Sequence, residues 1–238
     1  MARTAEQDNV RELQRTLYRV AKADPGRRFH ALHDKVYRRD VLERAWELVR
    51  ANRGAAGIDR QTIADVEQYG ISKLLDELAA DLKDGRWRPL PARRVFIPKP
   101  GRPQERRPLS IPAVRDRVVQ AATKTVIEPI FEADMLECSF GFRPRRSAHD
   151  ALQVLIDEAW RGRRWVAESD IANCFEAIPH SGLMAAAEER ISDRHVLKLL
   201  RAMARGSHDG RGGYARRHRR ASGRGALTLP GQRLPAPA

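Results

Sequence analysis

An aspartate, Asp170, closes an apolar run in the stretch RWVAESDIANCFEAIPH, residues 164–180, and a phenylalanine, Phe175, follows five residues later. Val166 and Ile171 bracket a segment of the kind that buries itself as a strand. A carboxylate at its end needs a partner, and the usual ones are a metal ion or a basic side chain. The other reading is an aspartate that caps the following turn. Two further clusters point at something anionic. ARRVFIPKPGRPQERRPLSIP, residues 92–112, reads as two short strands around residues 95–97 and 108–111. Between them lies a tight, basic, Pro/Gly-rich connection holding Lys99, Arg106 and Arg107. That pattern is a hairpin with an anion-seeking tip, or a solvated basic loop. SFGFRPRRSAHDALQVLIDEAW, residues 139–160, is an aromatic and basic loop with Arg143, Arg145 and Arg146, leading into a helix capped at Ser147.

The surrounding elements must hold these groups in place. Val10, Leu13, Leu17 and Val20 recur at helical spacing, and ADPG at residues 23–26 ends that helix. A second helix is expected through KVYRRDVLERAWELVRAN, residues 35–52, with Val36, Val41, Leu42, Ala45, Trp46 and Val49 on one side. The small-residue turn RGAAGID follows. ISKLLDELAADLKDG predicts a third amphipathic helix, stopped by Gly85. A fourth spans residues 114–135, with Val114, Val118, Ala121, Ala122, Thr125 and Val126 facing inward, and two more are expected near residues 182–191 and 194–204.

Composition narrows the classes. The chain has 238 residues, 42% of them hydrophobic, enough for a real core. Its formal net charge is +14, a balance that suits a polyanionic partner, usually nucleic acid. From Gly206 on, the composition turns to Gly, Pro and Arg and cannot build a core. Seven arginines and one acid, Asp209, give that tail +6 and leave +8 in the body, so the basic character does not depend on the tail. Cys138 and Cys174 lack CxxC spacing and read as buried thiols in a reducing compartment rather than as a zinc site or a disulfide. His30 and His33 have no matching ligand cluster. No run approaches membrane length and the N-terminus lacks an apolar leader, so a cytoplasmic protein is expected.

Four stretches, in order and at the right spacing, resemble the N-terminal part of bacterial group II intron reverse transcriptase–maturases. ANRGAAGIDRQTI is similar to the family's extra N-terminal block. RRVFIPKPGRPQERRPLSIPAVRDRVVQAA is similar to its first fingers block, SFGFRPRRSAHDAL to the second, and WVAESDIANCFEAIPH to the third, where the palm begins. The resemblance covers about residues 37–204. It implies an α+β fold: a helical extension at residues 1–36, the N-terminal block and fingers at 37–163, an incomplete start of the palm at 164–205, and a disordered tail at 206–238. Retron, diversity-generating and CRISPR-associated relatives share the palm motifs, but GAAGID and the long fingers block favour the group II introns.

The resemblance also implies roles. Nucleotidyl transfer of this kind uses two metal ions, and hard oxygen ligands suit Mg²⁺. Asp170 matches the family's first metal ligand, with the backbone at Ile171 touching the second ion. Phe175 matches the aromatic that excludes a 2′-hydroxyl by bulk, although plain core packing is the alternative. Lys99 and Arg107 match the residues that grip the incoming triphosphate, with Arg106 an alternative to Arg107. Arg143, Arg145 and Arg146 would reach the template backbone, with Phe142 either buried or stacking. The implied partners are intron or template RNA, a DNA primer and dNTP, with no membrane. The implied function is RNA-directed DNA synthesis with assistance to intron splicing and mobility. A non-catalytic RNA-binding module is the alternative, and an unrelated basic nucleic-acid-binding protein would leave the four ordered motifs unexplained.

The chain departs from the family in one decisive way. The family's Tyr-Ala-Asp-Asp turn supplies a second carboxylate pair, and no two aspartates are adjacent anywhere here. One carboxylate cannot hold two Mg²⁺ ions, so the chain by itself is expected to be inactive as a polymerase. The tail offers a reason. Read one nucleotide later from Ala221, codons available to its residues can spell PQGGALSPYLANVYLHRL, the family's next block. Only the middle base of most shifted codons is free, so chance agreement over this length is improbable. A frameshift between about residues 204 and 221, in a decayed mobile element, is the expectation. Sequencing the locus checks it: the shifted frame should run on to an acidic pair within several tens of codons, and an early stop or an open frame without that pair would sink it.

Overall fold

The computed structural model describes residues 5–171 and 174–206. Helix α1 (Ala5–Ala23) buries Val10, Leu17 and Ala21, residues seven and four apart and so on one stripe. The second expected helix is two: α2 (His33–Val36) and α3 (Arg39–Ala51). The break falls at Arg38, whose backbone is extended (φ −57°, ψ 140°). Asp40 favours a fresh start there, accepting from the Val41 amide at 3.0 Å and from the Arg38 Nε at 3.0 Å. Helix α4 (Ile63–Tyr69) has no counterpart in the sequence-based reading. Its signal was a capping box: Thr62 Oγ accepts from the Asp65 amide at 3.2 Å while Asp65 accepts from the Thr62 amide at 2.8 Å. Gly70, at φ 105°, turns the chain into α5 (Ile71–Lys83), which buries Leu74, Leu75, Leu78 and Leu82.

Strands β1 (Arg93–Lys99) and β2 (Arg102–Ile111) form an antiparallel hairpin, longer than the two short strands expected. Gly101, at φ 71°, makes its turn. Helix α6 (Val114–Glu132) is the centre of the core, packed by α1 and α3. It contains Pro129, which has no N–H for the carbonyl of Thr125 four residues back. Gln14 of α1 fills the gap, its Nε2 donating to that carbonyl at 3.1 Å. Lys22 serves the same helix at its C-terminal end, donating to the Ala133 carbonyl at 3.0 Å.

Helix α7 (Ala148–Trp160) begins at the expected Ser147 cap, with Asp150 completing a capping box. It buries no residue, and Leu152, Val154, Leu155 and Ile156 are exposed. The short α8 (Cys174–Ala177) leads to α9 (His180–Arg190) and α10 (Arg194–Gly206), near the positions expected.

These last helices return to the N-terminal segment, which sequence reasoning did not foresee. Phe29 and Ile191 form a parallel bridge. Arg190, 5% exposed, donates from Nη2 to the Ala21 carbonyl at 2.9 Å and from Nη1 to the Asp24 and Pro25 carbonyls, and pairs with Asp134 at 3.0 Å. Asp193 caps two helix starts with one carboxylate. Its Oδ2 accepts from the Leu32 and His33 amides, both at 2.8 Å, at the start of α2. Its Oδ1 accepts from the His195 and Val196 amides, at 3.0 and 3.3 Å, at the start of α10. Residues 1–36 therefore share one core with α3, α6, α9 and α10 as far as they are described. Cysteine burial is corrected: Cys138, in the turn region after α6, is exposed, and Cys174 is half-buried. The tail expected to be disordered lies outside the described residues from 207 onward.

Candidate nucleic-acid interface

The base of the hairpin is fixed on two sides. Gly57 of the RGAAGID loop lies so close to the β2–α6 junction that a Cβ would sit 2.5 Å from the Ala113 Cα and 2.7 Å from its nitrogen. Arg117 holds the same loop, donating to the Ala55 carbonyl at 2.7 Å. On the other side Asp116, 1% exposed, accepts from the Leu90 amide at 2.9 Å, just before β1. Burial pushes the Asp116 carboxyl above its ordinary range, against the pull of that amide and of Arg115.

Beyond this base the hairpin runs outward, and β2 is exposed from Arg102 to Ser110. Strand alternation sorts its basic groups. Arg107 faces Ile97 in register and shares its side, and the register then shifts between Pro98 and Lys99, so that Lys99 faces Arg102. Arg106 faces Pro98 on the opposite side. Arg106 and Arg107 thus lie on opposite sides of β2, with Lys99 beyond the register shift. Lys99 and Arg102 both pair with Glu105, at 2.7 and 3.3 Å, and hold its carboxyl below the usual range, Lys99 most strongly. Pairs this exposed are weak and readily exchanged for a phosphate. The side chains of Arg106 and Arg107 make no hydrogen bond or ion pair with any described residue.

The loop after α6 sorts its arginines differently. Arg143, expected at a template backbone, is turned inward with its side chain 9% exposed. Its Nε and Nη2 donate to Glu132, and its Nη1 to the Leu136 and Ser139 carbonyls at 2.6 and 2.8 Å. The Glu132 carboxylate raises its pKa further. With its fork occupied this way, Arg143 organises the loop. Arg146 lies over the Phe140 ring at 5.2 Å and donates to the Glu137 carbonyl at 3.1 Å. Arg145 is exposed and has no partner among the described residues.

The expected palm strand does not form. Residues 163–171 carry neither helix nor strand, and Trp165, Val166 and Ile171 are 98%, 80% and 71% exposed. A strand is stable only when its backbone groups pair across a ladder, and the described residues offer none to this segment. Asp170 is likewise exposed, with no hydrogen-bond or ionic partner among the described residues. The turn it would cap, residues 172–173, and the side chain of Phe175 lie outside the described residues, although the Phe175 backbone is in α8. No group of three or more His, Cys, Asp or Glu is placed to hold a metal ion among the described residues. The Asp170 carboxylate and the Ile171 backbone alone do not make up a two-metal centre, which needs further carboxylates between the ions. No helix among the described residues is long and apolar enough to cross a membrane.

Residues 97–220 match the family described as reverse transcriptase (RNA-dependent DNA polymerase). The chain is 37% identical over 205 residues to Protein YkfC of Escherichia coli (strain K12), covering 84% of this chain and 53% of that protein. It is 34% identical over 174 residues to the group II intron-encoded protein LtrA of Lactococcus lactis subsp. cremoris, covering 72% of this chain and 28% of that protein. An uncharacterized 91 kDa protein in a cob intron of Schizosaccharomyces pombe is 33% identical over 171 residues, covering 71% of this chain and 20% of its own length. The chain thus spans about half, or less, of the length of these relatives.

Proposed function

The chain belongs to the reverse transcriptase (RNA-dependent DNA polymerase) family and is homologous to group II intron-encoded proteins, and from that premise we propose that it is the fingers-side part of an intron-encoded reverse transcriptase–maturase that holds RNA without completing polymerisation. The observation that carries this reading is the exposed hairpin bearing Lys99, Arg106 and Arg107, braced at its base by Gly57 and Asp116. In the whole enzyme Lys99 and Arg107 contact the dNTP triphosphate. Asp170 and the Ile171 backbone contribute to the Mg²⁺ centre, Phe175 lines the sugar, and template RNA and a DNA primer lie along the fingers. RNA-directed DNA synthesis, splicing assistance and mobility are proposed for that whole enzyme. For this chain alone the lone carboxylate at 170 leaves RNA binding as the retained activity.

The chain should bind structured RNA with an affinity that falls steeply as salt rises. Replacing Arg106 and Arg107 by alanine should flatten the logarithmic salt slope by about 1 for each phosphate that is no longer neutralised. A filter-binding titration measures both, and binding without salt dependence would sink the reading. With RNA template, annealed DNA primer, dNTPs and Mg²⁺, the expected result is no extension above background. Extension that disappears in Asp170→Ala would mean that the missing carboxylates come from another chain, and would overturn the inactive assignment.

A further inference from the structure

The segment that follows α7 has the make-up of a strand and none of a strand's bonds. Among the described residues, no hydrogen bond involves the backbone N–H or C=O groups of residues 164–171. Trp165, Val166 and Ile171 stand in solvent along it. An open row of donors and acceptors on an apolar, strand-patterned segment is a template for another strand. A two-stranded ribbon is marginal in water unless a helix or a further strand covers one face. Such a cover precedes the segment in the chain. Helix α7 exposes Leu152, Leu155, Ile156 and Trp160, which recur at helical spacing along one stripe.

Charge says what fits this surface. Residues 148–171 carry five acids, Asp150, Asp157, Glu158, Glu168 and Asp170, against three arginines, a net of −2 in a chain of +14. A polyanion gains nothing from such a face, so the partner is a polypeptide. Within the segment the two signs are sorted, with Arg163 and Arg164 at its start and Glu168 and Asp170 at its end. Glu158 holds Arg161 and Arg163, both at 2.6 Å. Arg164, Glu168 and Asp170 are left without a side-chain partner among the described residues.

We propose that the surface made by α7 and the segment after it binds a second copy of this chain, the two segments pairing as an antiparallel ribbon. A two-fold axis through Val166 is the register that uses the sorted charges. It sets Arg164 of each copy opposite Glu168 of the other, with Asp170 as the diagonal neighbour. Val166 then faces its own counterpart between the two ion pairs, on the same side of the ribbon. Trp165 and Ala167 oppose each other on the other side, the apolar one, which the α7 stripes cover. A parallel pairing would set Arg164 on Arg164 and Glu168 on Glu168, which is destabilising. Both copies use the same patch, so the contact closes at two chains. It asks nothing of the basic hairpin and stands apart from the RNA-binding reading.

The test uses the full chain, freed of nucleic acid, in sedimentation equilibrium over a concentration series. The native chain should pass from the mass of one chain to that of two as its concentration rises. Arg164→Glu and Glu168→Arg each set like charges opposite one another twice in the ribbon, so each alone should weaken self-association by at least about tenfold. Mixed together, the two variants regain opposite charges at both pairs, and the mixture should associate like the native chain. This restoration separates the contact from folding, since a misfolded variant cannot be rescued by another. Trp160→Ser removes part of the α7 cover and should also weaken association. A native chain that keeps the mass of one chain throughout would overturn the proposal and assign the face to a different polypeptide. Charge variants that associate like the native chain, or that lose association and do not regain it when mixed, would overturn the paired ribbon.

Discussion

Asp193→Ala should destabilise the chain by about 3 kcal/mol, because one substitution uncaps two helices. The amides of Leu32 and Val196 are in buried surroundings and lose their acceptor, and the starts of α2 and α10 lose theirs together. Chemical denaturation measures the loss. Burial works against the Asp193 carboxylate, but the amides of Leu32, His33, Val196 and His195 outweigh it and hold the carboxyl below its usual range. A carboxyl depressed in the folded state stabilises above its unfolded value, and that contribution fades as pH falls through the folded value. The native chain should therefore lose this stability only in acid below the ordinary aspartate range. Asp193→Asn cannot titrate and offers one acceptor instead of two, so it should start less stable and lack that acid-sensitive component. Equal stability of native and Asn chains at neutral pH would count against the double cap.

The second large effect is expected at Gly57. In Gly57→Ala the new methyl would meet Ala113 at 2.5 and 2.7 Å and the Pro112 carbonyl carbon at 3.0 Å, all of it backbone. No side chain can swing aside, so the RGAAGID loop must lift from the β2–α6 junction, at about 3 kcal/mol. Gly26→Ala is the control, since its nearest atom is the Asp24 Oδ1 at 3.5 Å. Denaturation midpoints of the two variants should separate clearly, and a Gly57 variant as stable as the control would show that the loop does not bear on the hairpin.

The elements held by local pattern were legible in the sequence. The apolar spacing of α1, α5 and α6 and the presence of a hairpin with a Pro/Gly-rich connection followed from periodicity and composition alone. The expectation of one helix over residues 35–52 failed because periodicity continued across Arg38 while local capping at Asp40 restarted the helix. Helix α4 was missed because its seven residues carry little periodic signal, although Thr62 and Asp65 were at capping-box spacing. Long-range contacts had no signature in the sequence. Nothing local marks Arg190 and Asp193 as the groups that seize α1 and α2, or Gln14 as the donor that compensates for Pro129. The candidate site divides the same way. Hairpin and basic loop were visible as motifs, but which arginine turns inward depended on Glu132, eleven residues from Arg143. The strand expected at residues 164–171 shows the converse: its pattern suits a sheet, and a sheet needs neighbours that no single segment supplies.

The clasp between the two ends of the described body also sets an order of events during synthesis. Asp193 and Arg190 reach partners 160 to 169 residues earlier in the chain. At about 5–20 residues per second, a ribosome takes on the order of ten seconds or more to make that interval. Until α10 has emerged, the Leu32 and His33 amides and the Ala21 carbonyl lack the partners that Asp193 and Arg190 give them. The nascent N-terminal segment can rest on α6 once that helix is out, but it cannot be latched. Closing so long a loop is entropically slow, so latching should be a late step in the chain's maturation. In pulse-labelled nascent chains, protease resistance at residues 21–36 should appear only after residue 193 has cleared the ribosome exit tunnel.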